Sequence, residues 1–198
     1  MLNAGVAGYL ISLFLYCYEQ QLLPDTPSTI AHHCHFTHST MSVKFTARGA
    51  IIQELTVAGQ NIVLGFDKKD GYDTLNPWFG ATIGRVANRI RDGVVQSLNG
   101  QSYQLETNDR SNALHGGSRG WGRRDFEGPT LLKRAGKDTL LYTYTSPHMD
   151  GGYPGTVEIR VFYNVEDDHG VTVVNIEYEV ELIGDECEET IVNVTNHR

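Results

Sequence analysis

Four polar residues of this chain sit in stretches where a packed core would not want them, three of them in runs that contain glycine. Asn88 and Arg89 close the run 79–90 (FGATIGRVANRI), His115 precedes Gly116 and Gly117, and His197 follows Asn196 near the chain end. Their types fit proton transfer and polar recognition. An imidazole titrates close enough to neutral pH to donate and recover a proton. An arginine presents planar donors in a fixed fork, suited to the edge of a polar ligand. Glycine lets backbone come close to a ligand and adopt positive φ without steric cost. Each feature alone has a plainer reading. His-Gly-Gly is commonly a turn, Asn88 and Arg89 commonly cap one and meet surface carboxylates, and Asn196-His197 commonly frays. Trp78, Phe79 and Trp121 suit stacking on an apolar ligand face or ordinary core packing equally well.

The elements that must hold these loops read as β-strands. Val157, Ile159, Val161, Tyr163 and Val165 alternate with Glu158, Arg160, Phe162 and Asn164. A longer alternation sets Thr172, Val174, Ile176, Tyr178, Val180 and Leu182 against Asn175, Glu177, Glu179 and Glu181. A period of two describes strands with one buried and one solvated face. Residues 93–105 read as a hairpin around Asn99-Gly100, the pair favoured in type I′ turns. Residues 140–145 and 191–195 add short strands. No window of ten or more residues past Met41 carries a helical apolar stripe, so the fold class is all-β, an antiparallel sandwich or barrel. Chemistry then belongs on the connections.

Composition narrows the function classes. At 198 residues the chain is sized for one domain. Its net charge of −8 argues against nucleic acid as a partner, because phosphate backbones need clustered Lys and Arg. Cys17, Cys34 and Cys187 are too few and too scattered for a disulfide framework, which points to a reducing, cytoplasmic setting. The first forty residues differ from the rest. They hold no Lys or Arg, four of the eight histidines and an apolar run at 6–18. That run is short of a bilayer span and lacks a basic flank, so membrane insertion is not expected and secretion only weakly. His32, His33, Cys34 and His35 lack the spacing of a metal site, and no metal is expected. Residues 1–40 therefore read as an atypical leader, disordered or not native, and 41–198 as the folded domain.

Taken together, the motifs carry a resemblance. The string 80–90 (GATIGRVANRI) is similar to the signature of the aldose 1-epimerases, the galactose mutarotases. Asn112-x-Leu114-His115-Gly116-Gly117, Ser146-Pro147 with Gly152-Tyr153-Pro154-Gly155, and Asn193-x-Thr195-Asn196-His197 follow in the family's order. The resemblance implies a galactose-mutarotase-like β-sandwich whose concave face holds a monosaccharide. It implies interconversion of the α and β anomers of aldohexoses such as galactose and glucose, without cofactor or metal. By motif match, Asn88 and Arg89 would bind sugar hydroxyls, His115 would lie near the ring oxygen, and His197 would be the general acid that protonates it.

The departures set further expectations. The family's general base is a glutamate in its C-terminal third, and a second acidic residue there binds sugar. Neither is assigned before Arg198, so the sandwich is expected to be incomplete at its C-terminus. The polypeptide alone is then expected to fold poorly or lack turnover, with a non-catalytic carbohydrate-binding or inactive paralogue as the alternative. Glu177, Glu179, Glu181, Glu186, Glu188 and Glu189 read as a solvated surface rather than as a replacement base. The loop from Ser146 to Gly152 is less acidic than the family's. Arg119, Arg123 and Arg124 raise a related reading, an epimerase of hexose 6-phosphates. The motifs carry no information on oligomeric state.

Overall fold

Alternation of apolar and polar side chains builds two four-stranded antiparallel sheets in the computed structural model, which describes residues 33–38, 41–75, 78–168 and 171–197. Strands β1 (His33–His38), β2 (Met41–Thr46), β3 (Ile51–Val57) and β4 (Gln60–Asn61) form the first sheet in chain order. A single turn of helix, α1 (Lys69–Thr74), follows. Short strands then occupy the middle of the chain: β5 (Ala81–Ile83), β6 (Arg89–Ile90), β7 (Val94–Leu98), β8 (Gln101–Gln104) and β9 (Ala113–Leu114). The second sheet is again sequential, with β10 (Glu127–Arg134), β11 (Lys137–Ser146), β12 (Val157–Asp168) and β13 (Val171–Leu182). Strand β14 (Thr195–His197) returns to pair with β5.

The inner faces of both sheets feed one core. Met41, Val43 and Phe45 alternate inward from β2, while Val157, Ile159, Val161, Tyr163 and Val165 do so from β12. Leu140 and Tyr142 of β11 join them, with Trp121 and Phe126 at one margin. The Phe45 and Tyr163 rings stand 4.5 Å apart, and the Tyr163 hydroxyl donates to the Ala50 carbonyl at 2.6 Å. That bond satisfies a buried hydroxyl and ties β12 to the turn entering β3. The inward residues of β13, from Val174 to Leu182, pack on this core and stay half-buried, because β13 is an edge of its sheet among the described residues.

Several expectations change in detail. Backbone pairing reaches into the segment read as a leader: β1 pairs antiparallel with β2 from His33↔Thr46 to His38↔Met41. Among the described residues the paired backbone therefore begins at His33 rather than Met41, because β2 offers a free edge that an extended chain can join. The apolar run at 6–18 and His32 lie outside the described residues. The 93–105 hairpin forms as read, with φ of +48° at Asn99 and +72° at Gly100. The strand read at 191–195 begins only at Thr195, because Asn193 instead makes a parallel bridge to Val86.

The outer face of the second sheet is less bare than a solvated row of glutamates. Arg134 lies over the Phe162 ring at 4.1 Å and reaches Glu177 and Glu179, while Arg160 bonds Glu158 and Glu181. Phe162 is therefore buried on the outer side, beneath a guanidinium rather than a core. Among the described residues no helix is long and apolar enough to cross a membrane, and no group of His, Cys, Asp or Glu would hold a metal ion.

Candidate functional site

Two small apolar clusters outside the main core carry the loops. One gathers Ile51, Tyr72, Ala81 and Ile83 with Trp78 and Ala87 against it; the other gathers Leu105, Ala113 and Tyr153 with Val86 and Ile90. The segment 84–90 lies across both, Ala87 on one side and Val86 and Ile90 on the other. Strand β5 enters this segment, and its partner β14 brings in the chain end. His197 stands opposite Ala81, its carbonyl accepts the Gly80 N–H at 2.7 Å, and the Asn196 amide donates to the Gly80 carbonyl at 2.8 Å.

Arg85 locks this crossing. It is 1% exposed, and its guanidinium donates to Ser146 Oγ and to the carbonyls of Ser146, Pro147 and Pro154, with a further bond to Thr190 Oγ1, all between 2.7 and 3.3 Å. Burial pulls its pKa down, and the Asp150 charge opposes that pull. A buried charge persists only when its hydrogen-bonding capacity is met, and here five bonds meet it. The Arg85 backbone works alongside: its carbonyl accepts the Asn193 N–H, and the Ala87 N–H donates to the Asn193 carbonyl. One residue thus joins the 84–90 segment, the 146–154 loop and the stretch leading to His197.

Asn88 and His115 meet through the two-stranded pair of β6 and β9, in which Arg89 faces Leu114 and Ile90 faces Ala113. The His115 N–H donates to the Asn88 carbonyl and the Asn88 N–H donates to His115 Nδ1, both at 3.1 Å. Nδ1 is thereby the accepting nitrogen, so the neutral ring carries its proton on Nε2. Asn108 braces the same strand, its amide pairing with both backbone groups of Leu114. Arg89 is held by Asp109, whose carboxylate takes the Nε–H at 2.5 Å, and Nη1 donates to Asn88 Oδ1 at 3.3 Å. Gly116 has φ of +82°, and a Cβ there would sit 1.9 Å from the Gly84 carbonyl oxygen. Only glycine allows the His115 turn to press so closely on the 84–90 segment.

The two histidines come together. Their ring centroids are 5.3 Å apart with planes at 85°, and Trp78 touches both, at 5.1 Å from His115 and 6.3 Å from His197. Burial lowers the His115 pKa, and the His197 and Arg89 charges lower it further. His197 Nδ1 is buried and has no hydrogen-bond partner among the described residues. Trp78, Asn88 and His115 all have left-handed backbone, with φ of +56°, +59° and +54°. Asparagine tolerates that region, whereas a bulky residue holds it only when its surroundings require it.

The remaining sequence candidates separate. Trp121 is buried against Gly84 in the main core, and Phe79 lines an apolar hollow of about 340 Å³ with Leu55, Ile62, Val63 and Leu64. Arg124 is committed to Asp150 at 2.5 Å, and Arg123 lies over the Trp78 ring, which leaves Arg119 as the exposed member of the arginine trio. Arg85, Asn108 and Asp109 were not singled out from sequence. Arg85 lies inside the recognised string, yet basic residues ordinarily face water, so nothing in its type signals burial.

The site assembles guanidinium donors beside two rings that ordinarily titrate near neutrality, a set suited to proton movement on a polyhydroxylated ligand. The family model described as aldose 1-epimerase matches residues 32–198. The bifunctional protein GAL10 of Pachysolen tannophilus is 39% identical over 160 residues, covering 78% of this chain and 23% of that protein. The galactose mutarotase of Bos taurus is 37% identical over 137 residues, covering 69% of this chain and 36% of its own length. The chain thus spans about a third or less of these curated relatives. In fold it is similar to the crystal structure of galactose 1-epimerase from Lactobacillus acidophilus NCFM, with a TM-score of 0.70 at 23% identity over 94% of this chain and 52% of that one. Since the match runs through every strand that carries the site, the chain belongs to the aldose 1-epimerase family.

Proposed function

We propose that the His115–His197 site interconverts the α and β anomers of aldohexoses such as galactose and glucose. In this reading the anomeric hydroxyl gives its proton to solvent water, the base role being unassigned among the described residues, and the O–H electron pair becomes the second bond of the C1 carbonyl. The bond from C1 to the ring oxygen breaks, and the ring oxygen takes a proton from His197. Rotation about C1–C2 presents the other carbonyl face, and the reverse steps close the opposite anomer. His115, kept neutral by burial and by the neighbouring His197 and Arg89 charges, donates its Nε2–H to the ring oxygen rather than competing for the proton. Asn88 and Arg89 hold ring hydroxyls, with Asp109 orienting the Arg89 fork.

The single observation that carries the reading is the approach of the two imidazoles to 5.3 Å, beside the Asn88–Arg89 pair. Polarimetry of freshly dissolved α-D-glucose and α-D-galactose tests it. Against the expectation of no turnover, the assembled imidazole pair leads us to expect a gain over buffer from the full chain, small because no base is assigned, and His197→Asn is expected to abolish that gain. Arg89→Met should mainly weaken sugar affinity in calorimetric titration. Sugar binding with no rate gain would overturn the catalytic assignment, and no binding would overturn the sugar site itself.

A further inference from the structure

Among the described residues Trp78 is the aromatic side chain in contact with both candidate histidines, and its own support comes from the turn 121–123. Three consecutive residues of that turn have separate tasks. Trp121 packs on Gly84, and a Cβ on Gly122 would stand 3.3 Å from the Trp78 indole. Arg123 sends its guanidinium over the indole face at 5.6 Å while Nη1 donates to the Ser118 carbonyl at 2.8 Å. The charges that bear on Arg123 are Arg48, Glu106 and Asp73, none of them a partner in a described hydrogen bond to it. Its planar cation is therefore spent on the indole and on one backbone carbonyl.

Strain makes this contact meaningful. Trp78 has φ of +56°, a region a bulky side chain occupies only when contacts over-determine it. The indole is held by its edge contact to His115 on one side and by the guanidinium on another. We propose that Arg123 is a positioning residue of the epimerase site, holding the Trp78 indole as a wedge that keeps the His115 and His197 rings near perpendicular. The inference rests on the epimerase reading of the histidine pair. It also assigns Trp78 to the protein's own rings rather than to a sugar face.

The test compares Arg123→Met, which keeps length but loses charge, with Arg123→Lys, which keeps a cation, in the full chain. Nuclear Overhauser contacts between the Trp78 indole and the His115 ring are measured without sugar, followed by mutarotation rates. Arg123→Met is expected to weaken those contacts and cut turnover by roughly two- to fivefold, the factor one exposed cation–π contact supports, with KM little changed. Arg123→Lys should restore most of both. In a Trp78→Leu background, Arg123→Met should cost nothing more. Intact ring contacts in Arg123→Met, or the same loss in both backgrounds, would overturn the clamp. Should the unaltered chain show no turnover, the epimerase reading fails by itself, and the ring contacts still decide whether Arg123 holds the indole.

Discussion

The interior between the two four-stranded sheets and the knot of loops around His115 solve opposite problems. The interior is continuous apolar packing: Val43, Phe45, Ile159, Val161 and Tyr163 interlock, and any face of the right period would contribute to it. The knot has only two small apolar clusters beneath it. It is held by the five donors of Arg85, by reciprocal bonds between Asn88 and His115, and by glycines where a Cβ would collide. The core tolerates approximate solutions because burial is non-directional. The knot does not, because hydrogen bonds and close backbone approach have fixed geometry. Stability and chemistry therefore rest on different residues and should separate under substitution.

The sharpest separation is expected at His115. Replacing it with Asn should lower mutarotation by about 10²–10³, the range for removing one positioned hydrogen-bond donor, with a far smaller loss in urea midpoint at pH 8 from the broken Asn88 bond. Unaltered rates would remove His115 from the chemistry. Arg85→Met should blur the division, since it removes the guanidinium from the Ser146, Pro147 and Pro154 carbonyls, of which Pro154 keeps the Thr190 hydroxyl, and frees the crossing that leads to His197. It should cost about 3–5 kcal/mol in urea unfolding and reduce turnover of the molecules that remain folded. Ile159→Ala is its counterpart in the core. A loss of about 2–5 kcal/mol is expected, with turnover per folded molecule preserved. If both variants lose stability alone, the knot is not a separate device.

Acid should act on the knot before the interior. His115 titrates below its ordinary 6.5, chiefly through burial, so the unfolded chain binds that proton at higher pH than the folded one. The contribution is complete above pH 6.5 and is lost as pH falls from there through the folded value. Urea midpoints measured between pH 8 and 5 should decline, and His115→Asn should remove part of the slope. The smallest effect belongs to the outer face of the second sheet. Arg134→Met gives up its place over Phe162 and its glutamate bonds, for about 1 kcal/mol or less that shrinks as salt is added.

Reading the chain in one dimension worked where structure is local. The β12 alternation and the Asn99-Gly100 turn were legible because period and turn chemistry act over neighbouring residues. Strand β1 was missed because an extended segment beside a free edge needs no strong pattern of its own. The Glu177–Glu181 row read as solvent-facing because the arginines that meet it come from β10 and β12, distant in sequence. Asn88, Arg89, His115 and His197 were nameable because they fall in the motifs that carry the family resemblance. Arg85, Asp109 and Arg123 were not, since each has meaning only through a partner far along the chain.

From residue order alone came the β-rich class, the inward-facing residues and the family signature, all properties of neighbours and period. Whether two imidazoles 82 positions apart would meet was decided only by tertiary structure. Their meeting depends on β14 pairing with β5, on β6 pairing with β9, and on a buried guanidinium joining the two, and long-range contacts of that kind leave no trace in local sequence.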